Sequence, residues 1–160
     1  MRTNNAKVKN TIVSVYFILI VLAILLATVF SAFSHLTPSP MLTFLFLFVG
    51  FLILFFSVHA VSKYFEYDSD GKKVMVINKG LLMSDYFNYR EHQLEFDKSR
   101  LMAFKFKNYF VYKSLTLYIK NSKGHTKKES FNVTLVTKKK RRYIRQSLSK
   151  MVKNNIKPTN

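Results

Sequence analysis

The run KKKRR, Lys138 to Arg142, is followed by Arg145, Lys150 and Lys153 with no acidic residue in the stretch. Ammonium and guanidinium groups at this density attract anions, above all phosphate and carboxylate oxygens. Candidate anion contacts are therefore Lys138, Lys139, Lys140, Arg141, Arg142 and Arg145, with Lys105 and Lys107 as secondary members. The run opens an amphipathic helix, where first-turn lysines oppose the helix dipole. The cluster is not there to stabilise that terminus, and a partner is the sharper explanation.

Catalytic chemistry finds less to work with. The four histidines, His35, His59, His92 and His125, are dispersed, and no HExxH, Walker loop or GxSxG occurs. The chain has no cysteine, which excludes disulfides, thiolate metal sites and a Cys nucleophile. Asp68 and Asp70 flank Ser69 in a turn sequence and read as turn acceptors. Glu91, Glu95 and Asp97 alternate near a strand without a matched nucleophile and read as tempering the basic surface or pairing with Arg90, Lys98 and Arg100. The expectation is a non-enzyme with no cofactor, no metal and no small-molecule substrate.

These residues need elements to carry them, and composition divides the chain. It has 160 residues, 26 Lys plus Arg against 8 Asp plus Glu, a formal charge of +18 and 49% apolar residues. None of the charged residues lies between Thr11 and Val61. Thr11 to Phe33 and Met41 to Val61 are each long enough for the roughly 30 Å hydrocarbon layer. Residues 34–40, SHLTPSP, join them too briefly for anything but an antiparallel hairpin. A cleaved signal peptide ending near Ala32 is the alternative for the first run, and the second would still anchor the chain. Arg2, Lys7 and Lys9 before the hairpin, and Lys63, Lys72 and Lys73 after it, predict an inner-membrane, multi-pass chain with both termini cytoplasmic. Ala23, Ala27 and Ser31, spaced by four, form a small-residue strip that antiparallel folding would bring near Gly50. Either this is a packing seam or it reflects the usual abundance of small residues in membrane helices.

Beyond residue 62 the period becomes two. Tyr64–Asp68 and Lys72–Asn78 flank a Ser-Asp-Gly turn, and Leu81 to Phe87 follows. Leu94 with Phe96, Phe104 with Phe106, Leu115 with Leu117 and Ile119, and Phe131 with Val133 and Leu135 each mark one strand face. Asn121 to Gly124 supplies a further turn. Ile144, Leu148, Met151 and Val152 recur at helical spacing, with Thr137 as the cap. The expected organisation is a basic tail at 1–10, helices at 11–33 and 41–61 around a loop at 34–40, one α+β domain at 62–153 and a polar tail at 154–160.

The stretches YFEYDSDGKKVMVINKGLL (64–82), LEFDKSRLMAFKFKN (94–108) and SLTLYIKNSKG (114–124), closed by an amphipathic helix, resemble the pleckstrin-homology-like fold. More narrowly, the chain is similar to bacterial proteins with two membrane helices and a cytoplasmic PH-like domain. That resemblance implies a strongly bent antiparallel sheet capped by one C-terminal helix. It also implies an adaptor, a membrane-anchored binding module or accessory subunit of an inner-membrane complex, with a basic domain surface. The partners expected are an anionic phospholipid surface and a membrane protein, with an anionic-lipid sensor or ribosomal RNA attachment as alternatives. For RNA, Phe104, Phe106, Tyr109, Phe110 and Tyr112 would stack on bases; a sheet core needs aromatics too. Tyr109 to Tyr112 cannot all face one core.

Overall fold

The computed structural model describes residues 1–36, 38–81, 92–121 and 124–156. Two compact units emerge, Lys7–Ser62 and Met1–Ala6 together with Lys63–Asn160. In the first, α1 (Lys9–Phe33) and α2 (Pro40–Val61) are helices long and apolar enough to cross a membrane. Only Ile12 and Leu19 are buried in α1, and none of α2 is. Phe17, Ile18, Phe46, Ile53 and Phe56 stand exposed instead. A core helix of a water-soluble protein would hide such residues, and helices apolar on every face suit lipid. Where α1 and α2 meet, aromatic rings carry the contact: Tyr16 and Phe55 lie edge to face at 5.6 Å, and Phe30 and Phe44 are tilted at 5.6 Å.

The second unit is α+β. Its first sheet has the order β1 (Arg2–Asn4), β2 (Lys63–Asp68), β3 (Lys73–Gly80), β4 (His92–Asp97), all antiparallel. The second contains β5 (Leu101–Asn108), β6 (Lys113–Lys120) and β7 (Thr126–Asn132), also antiparallel. The C-terminal helix α3 spans Lys138–Ile156. The alternation expected in the sequence places Phe65, Tyr67, Val74, Val76, Phe96, Leu115, Leu117 and Phe131 inward. Ile144, Leu148 and Met151 of α3 join them in a single core shared by both sheets. Thr137 caps α3, its Oγ1 accepting from the Lys140 amide at 3.4 Å and its carbonyl from the Arg141 amide at 2.9 Å.

Three expectations are corrected. The strongly bent sheet of a PH-like domain is absent: there are two small flat sheets, and so the resemblance to that family does not hold. A short 3₁₀ turn, Lys98–Arg100, stands between β4 and β5, and the ladder does not continue across it. Residues 2–4 are not part of a loose basic tail. They pair with β2 as an edge strand, Arg2 opposite Asp68 and Asn4 opposite Glu66. Finally, β7 ends at Asn132, whose Oδ1 accepts from the Thr134 amide at 3.0 Å and turns the chain. Leu135 is consequently only half-buried, and Val136 takes the core position. The expected strand Leu81 to Phe87, apart from Leu81, lies outside the described residues, as do Arg90, Glu91, Ser122 and Lys123.

Side-chain hydrogen bonds tie the parts together. Asn78 at the end of β3 donates to the carbonyls of Tyr64 at 2.8 Å and Asn132 at 3.2 Å, and accepts from the Asn132 amide at 3.0 Å. One side chain thus staples the first sheet to the second. Asn5, just past β1 and buried, exchanges hydrogen bonds with the Phe65 backbone and donates to the Lys63 carbonyl at 3.0 Å. Tyr67 and Ser147 share a hydrogen bond at 3.0 Å that links β2 to α3.

Candidate anion-binding groove

Charge within the sheet-and-helix unit is not spread evenly. Through β1 to β4 and their described turns, Arg2, Lys63, Lys72, Lys73 and Lys79 are matched by Glu66, Asp68, Asp70, Glu95 and Asp97. Many of these pair: the N-terminal amine with Asp70, Arg2 with Glu66 at 2.7 Å, Lys73 with Glu95 at 2.9 Å. Burial pushes the Glu66 carboxyl up, but hydrogen bonds from Tyr64 and Arg2 outweigh it and hold the group below its ordinary range. After Asp97, by contrast, the sequence has 18 Lys and Arg and a single carboxylate, Glu129. Glu129 is itself engaged, by Lys127 at 2.9 Å and by His92 at 2.8 Å, so it neutralises nothing elsewhere. The expectation of a generally basic domain surface is corrected accordingly: one sheet is balanced, and the surplus belongs to the other sheet and α3.

Part of that surplus surrounds a groove of about 520 Å³ lined by Phe106, Lys107, Asn108, Lys113, Lys138, Arg141, Arg142 and Arg145. Helical geometry explains four of them. Residues 138, 141, 142 and 145 follow i, i+3, i+4 and i+7, and at about 100° per residue they share one stripe of α3. This stripe runs alongside the apolar one made by Ile144, Leu148 and Met151, so burying the core carries the cations to the edge of the second sheet. Lys107 and Asn108 at the end of β5 and Lys113 at the start of β6 form the opposite wall, Asn108 being paired with Lys113 across the hairpin. The Arg145 guanidinium lies over the Phe106 ring, 5.2 Å from its centroid, which orients the planar fork. Among the described residues, no carboxylate lines the groove. Six cations facing a common space repel one another, an arrangement that an incoming anion relieves.

Of the expected anion contacts, the fold brings together Lys138, Arg141, Arg142, Arg145 and Lys107. Three others fall elsewhere. Lys105 occupies an exposed position on β5 and Lys139 an exposed position on α3, neither in the groove. Lys140 is directed to β1, where its Nζ donates to the Asn4 carbonyl at 2.5 Å. Lys113 and Asn108 are not among the expected anion contacts, although the sequence marks the surface near Asn108 to Lys113 as one that could receive an acidic segment of a protein partner. Their signal was their place on either side of Tyr109 to Tyr112, which pairs them once that segment is read as a hairpin tip. In the helical unit, Ala23 and Ala27 border an apolar gap of about 270 Å³ faced by Phe44, Leu47, Phe48 and Phe51. Ser31 and Gly50 are not at that gap, and a Cβ on Gly50 would meet nothing within 4 Å.

Among the described residues, the groove lining has no carboxylate, imidazole, hydroxyl or thiol side chain. Its ammonium and guanidinium groups can attract negative charge by Coulomb forces and by charge-assisted hydrogen bonds. Comparison of the chain with protein-family models, with curated proteins and with solved structures returns no match. The role of a PH-like adaptor or accessory subunit is withdrawn with the fold on which it rested.

Proposed function

We propose that this protein is a non-catalytic, membrane-anchored anion binder, holding a multiply charged, phosphate-bearing ligand between α3 and the β5–β6 hairpin. The observation that carries the reading is the groove itself: six cationic side chains converge on it with no counter-charge among the described lining residues. Arginines suit the purpose, since each guanidinium can meet two oxygens of one phosphate.

α1 and α2 supply the anchor. Because β1 precedes α1 and pairs with β2, which follows α2, the two flanks of the helical segment fold together. Such pairing favours an even number of membrane crossings between them, hence a hairpin with both termini on one side. The basic flanks, Arg2, Lys7 and Lys9 before and Lys63, Lys72 and Lys73 after, make that side the cytoplasmic one.

The test is tripolyphosphate titration of the full chain in neutral detergent, at low and physiological salt. Arg141→Gln with Arg142→Gln should weaken binding and flatten its salt dependence. Lys105→Gln with Lys139→Gln removes the same formal charge outside the groove and should have little effect. Equal weakening by both pairs would reduce the groove to diffuse surface charge and refute the proposal.

A further inference from the structure

The hairpin that walls the groove ends in residues that turn chemistry does not ask for. Between β5 and β6 the Tyr109 amide donates to the Tyr112 carbonyl at 2.8 Å, leaving Phe110 and Val111 as the tip. Two-residue hairpin loops favour Asn-Gly, Asp-Gly or a glycine, residues suited to the backbone twist. This tip has a Phe and a β-branched Val. Other described turns of the same unit follow the usual chemistry: Asp68 Oδ1 accepts from the Asp70 amide at 2.9 Å, and Gly124 takes a φ of 82° after β6. Phe110 is fully exposed, Tyr109 and Val111 are more than half exposed, and the Tyr109 and Tyr112 rings lie 6.3 Å apart. Four consecutive large side chains thus project where neither core packing nor turn formation accounts for them.

Immediately below the tip come Asn108 and Lys113, both part of the groove wall. An apolar, tyrosine-flanked point therefore rises from a ring of cations. Tyrosine is at home where hydrocarbon gives way to headgroups, and Phe and Val in the hydrocarbon beneath. Cations a few ångströms behind would then meet phosphates at headgroup depth. A bilayer is also present wherever α1 and α2 are inserted, and only Ser62 separates α2 from β2. We infer that residues Tyr109 to Tyr112 form a membrane-insertion tip, and that the groove's ligand is the phosphate of anionic lipids around it. This inference rests on the groove being an anion site and names the source of the anion.

Because the chain has no cysteine, a single Val111→Cys substitution accepts one environment-sensitive fluorophore. Lys128→Cys, exposed on β7, is the reference position. The full chain is placed in nanodiscs of phosphatidylcholine, alone or mixed with phosphatidylglycerol, in which acyl chains are brominated. In the anionic discs the label at 111 should be quenched by bromine and protected from aqueous iodide, with the label at 128 behaving oppositely. Phe110→Ser with Tyr109→Ser should abolish the quenching while leaving tripolyphosphate binding intact. Arg141→Gln with Arg142→Gln should shift the inserted-to-free ratio by up to about thirtyfold, at roughly tenfold per 1.4 kcal/mol.

A label at 111 that stays open to iodide, in a chain that still binds tripolyphosphate through the groove, overturns the insertion and leaves the anion site standing. Equal quenching in neutral and anionic discs, unchanged by the arginine substitutions, overturns the coupling to anionic lipid. Protection from iodide without bromine quenching indicates contact with protein, such as a second copy of the chain, and overturns the lipid assignment. Quenching in anionic discs by a parent chain that binds no tripolyphosphate would refute the groove as an anion site, and with it the assignment of lipid phosphate to the groove, leaving only the insertion of the tip.

Discussion

Replacing Asn78 with alanine tests whether one side chain holds the two sheets in register. Three hydrogen bonds disappear: to the Tyr64 carbonyl, to the Asn132 carbonyl and from the Asn132 amide. A protein hydrogen bond contributes about 1 kcal/mol net, and an unmatched buried group costs about 1–3 kcal/mol. Asn132 is buried, so its amide does not simply recover a water partner. The expected loss is about 3 kcal/mol, a large share of the 5–15 kcal/mol that stabilises a typical domain. For a unit of this size, that corresponds to a fall in the unfolding midpoint of roughly 12–24 °C. Thermal unfolding of the full chain in detergent, followed through tyrosine near-ultraviolet dichroism, gives the midpoint. Hydrogen exchange gives the local effect, with the Asn132 amide expected to lose protection before those of β2. Asn78→Asp retains the acceptor for the Asn132 amide but turns a donor pair into an acceptor facing two carbonyls, so it should be no better than alanine. A midpoint within a degree or two of the parent for both variants would refute the staple.

Two other perturbations address the core and the carboxylates. Leu148→Asp puts a charge into a fully buried position of α3, and the sheet-and-helix unit should lose about 3–5 kcal/mol or fail to fold; wild-type thermal stability would contradict its place in the core. Hydrogen bonding from Lys127 comes first, and that from His92 also helps, in holding the Glu129 carboxyl below its ordinary value of 4.5; burial pushes the other way. A depressed carboxylate stabilises the fold above the unfolded-state value, and that contribution disappears as pH falls through the lower folded-state value. Unfolding midpoints should therefore decline below about pH 4.5, and Glu129→Gln should make the decline shallower; an unaltered acid limb would contradict the assignment.

Local patterns in the sequence were enough to find most of the described elements, β1 being the exception. Period two located β2 to β6, and the spacing of Ile144, Leu148 and Met151 located α3, because each repeat reports which face is buried. Four of the groove cations were equally legible, since 138, 141, 142 and 145 share a helical stripe beside the apolar one. What escaped was anything set by pairs distant in sequence. Lys140 is only two positions from Lys138, yet it lies on the opposite flank of α3 and reaches Asn4 across 136 residues. Nothing near Asn78 or Asn132 shows that they meet, because polar strand residues look alike until the sheets are placed. A single bent sheet was expected for the same reason: strand order in the sequence does not state where a ladder stops. The tip at Tyr109 to Tyr112 was visible as an anomaly, too apolar for a turn and too long for one strand face, and the anomaly is where the functional inference lies.

The place of β1 adds a physical constraint on how the protein assembles. An edge strand drawn from residues before α1 protects the unpaired side of β2, which would otherwise invite pairing with another chain. Asn5 satisfies the Phe65 amide at 2.9 Å and Lys140 supplies a cation to the Asn4 carbonyl, so β1 is also tied to α3. The helices are thus an insertion between two adjacent strands of one sheet. In the proposed hairpin topology, β1 can dock only when α1 and α2 return the chain to the side it left. A chain whose second helix fails to insert would leave β2 an open edge and Lys140 without its carbonyl. Under that topology, membrane insertion and complete folding of the sheet would be one coupled event, and a domain with β1 in place would be one whose hairpin has closed.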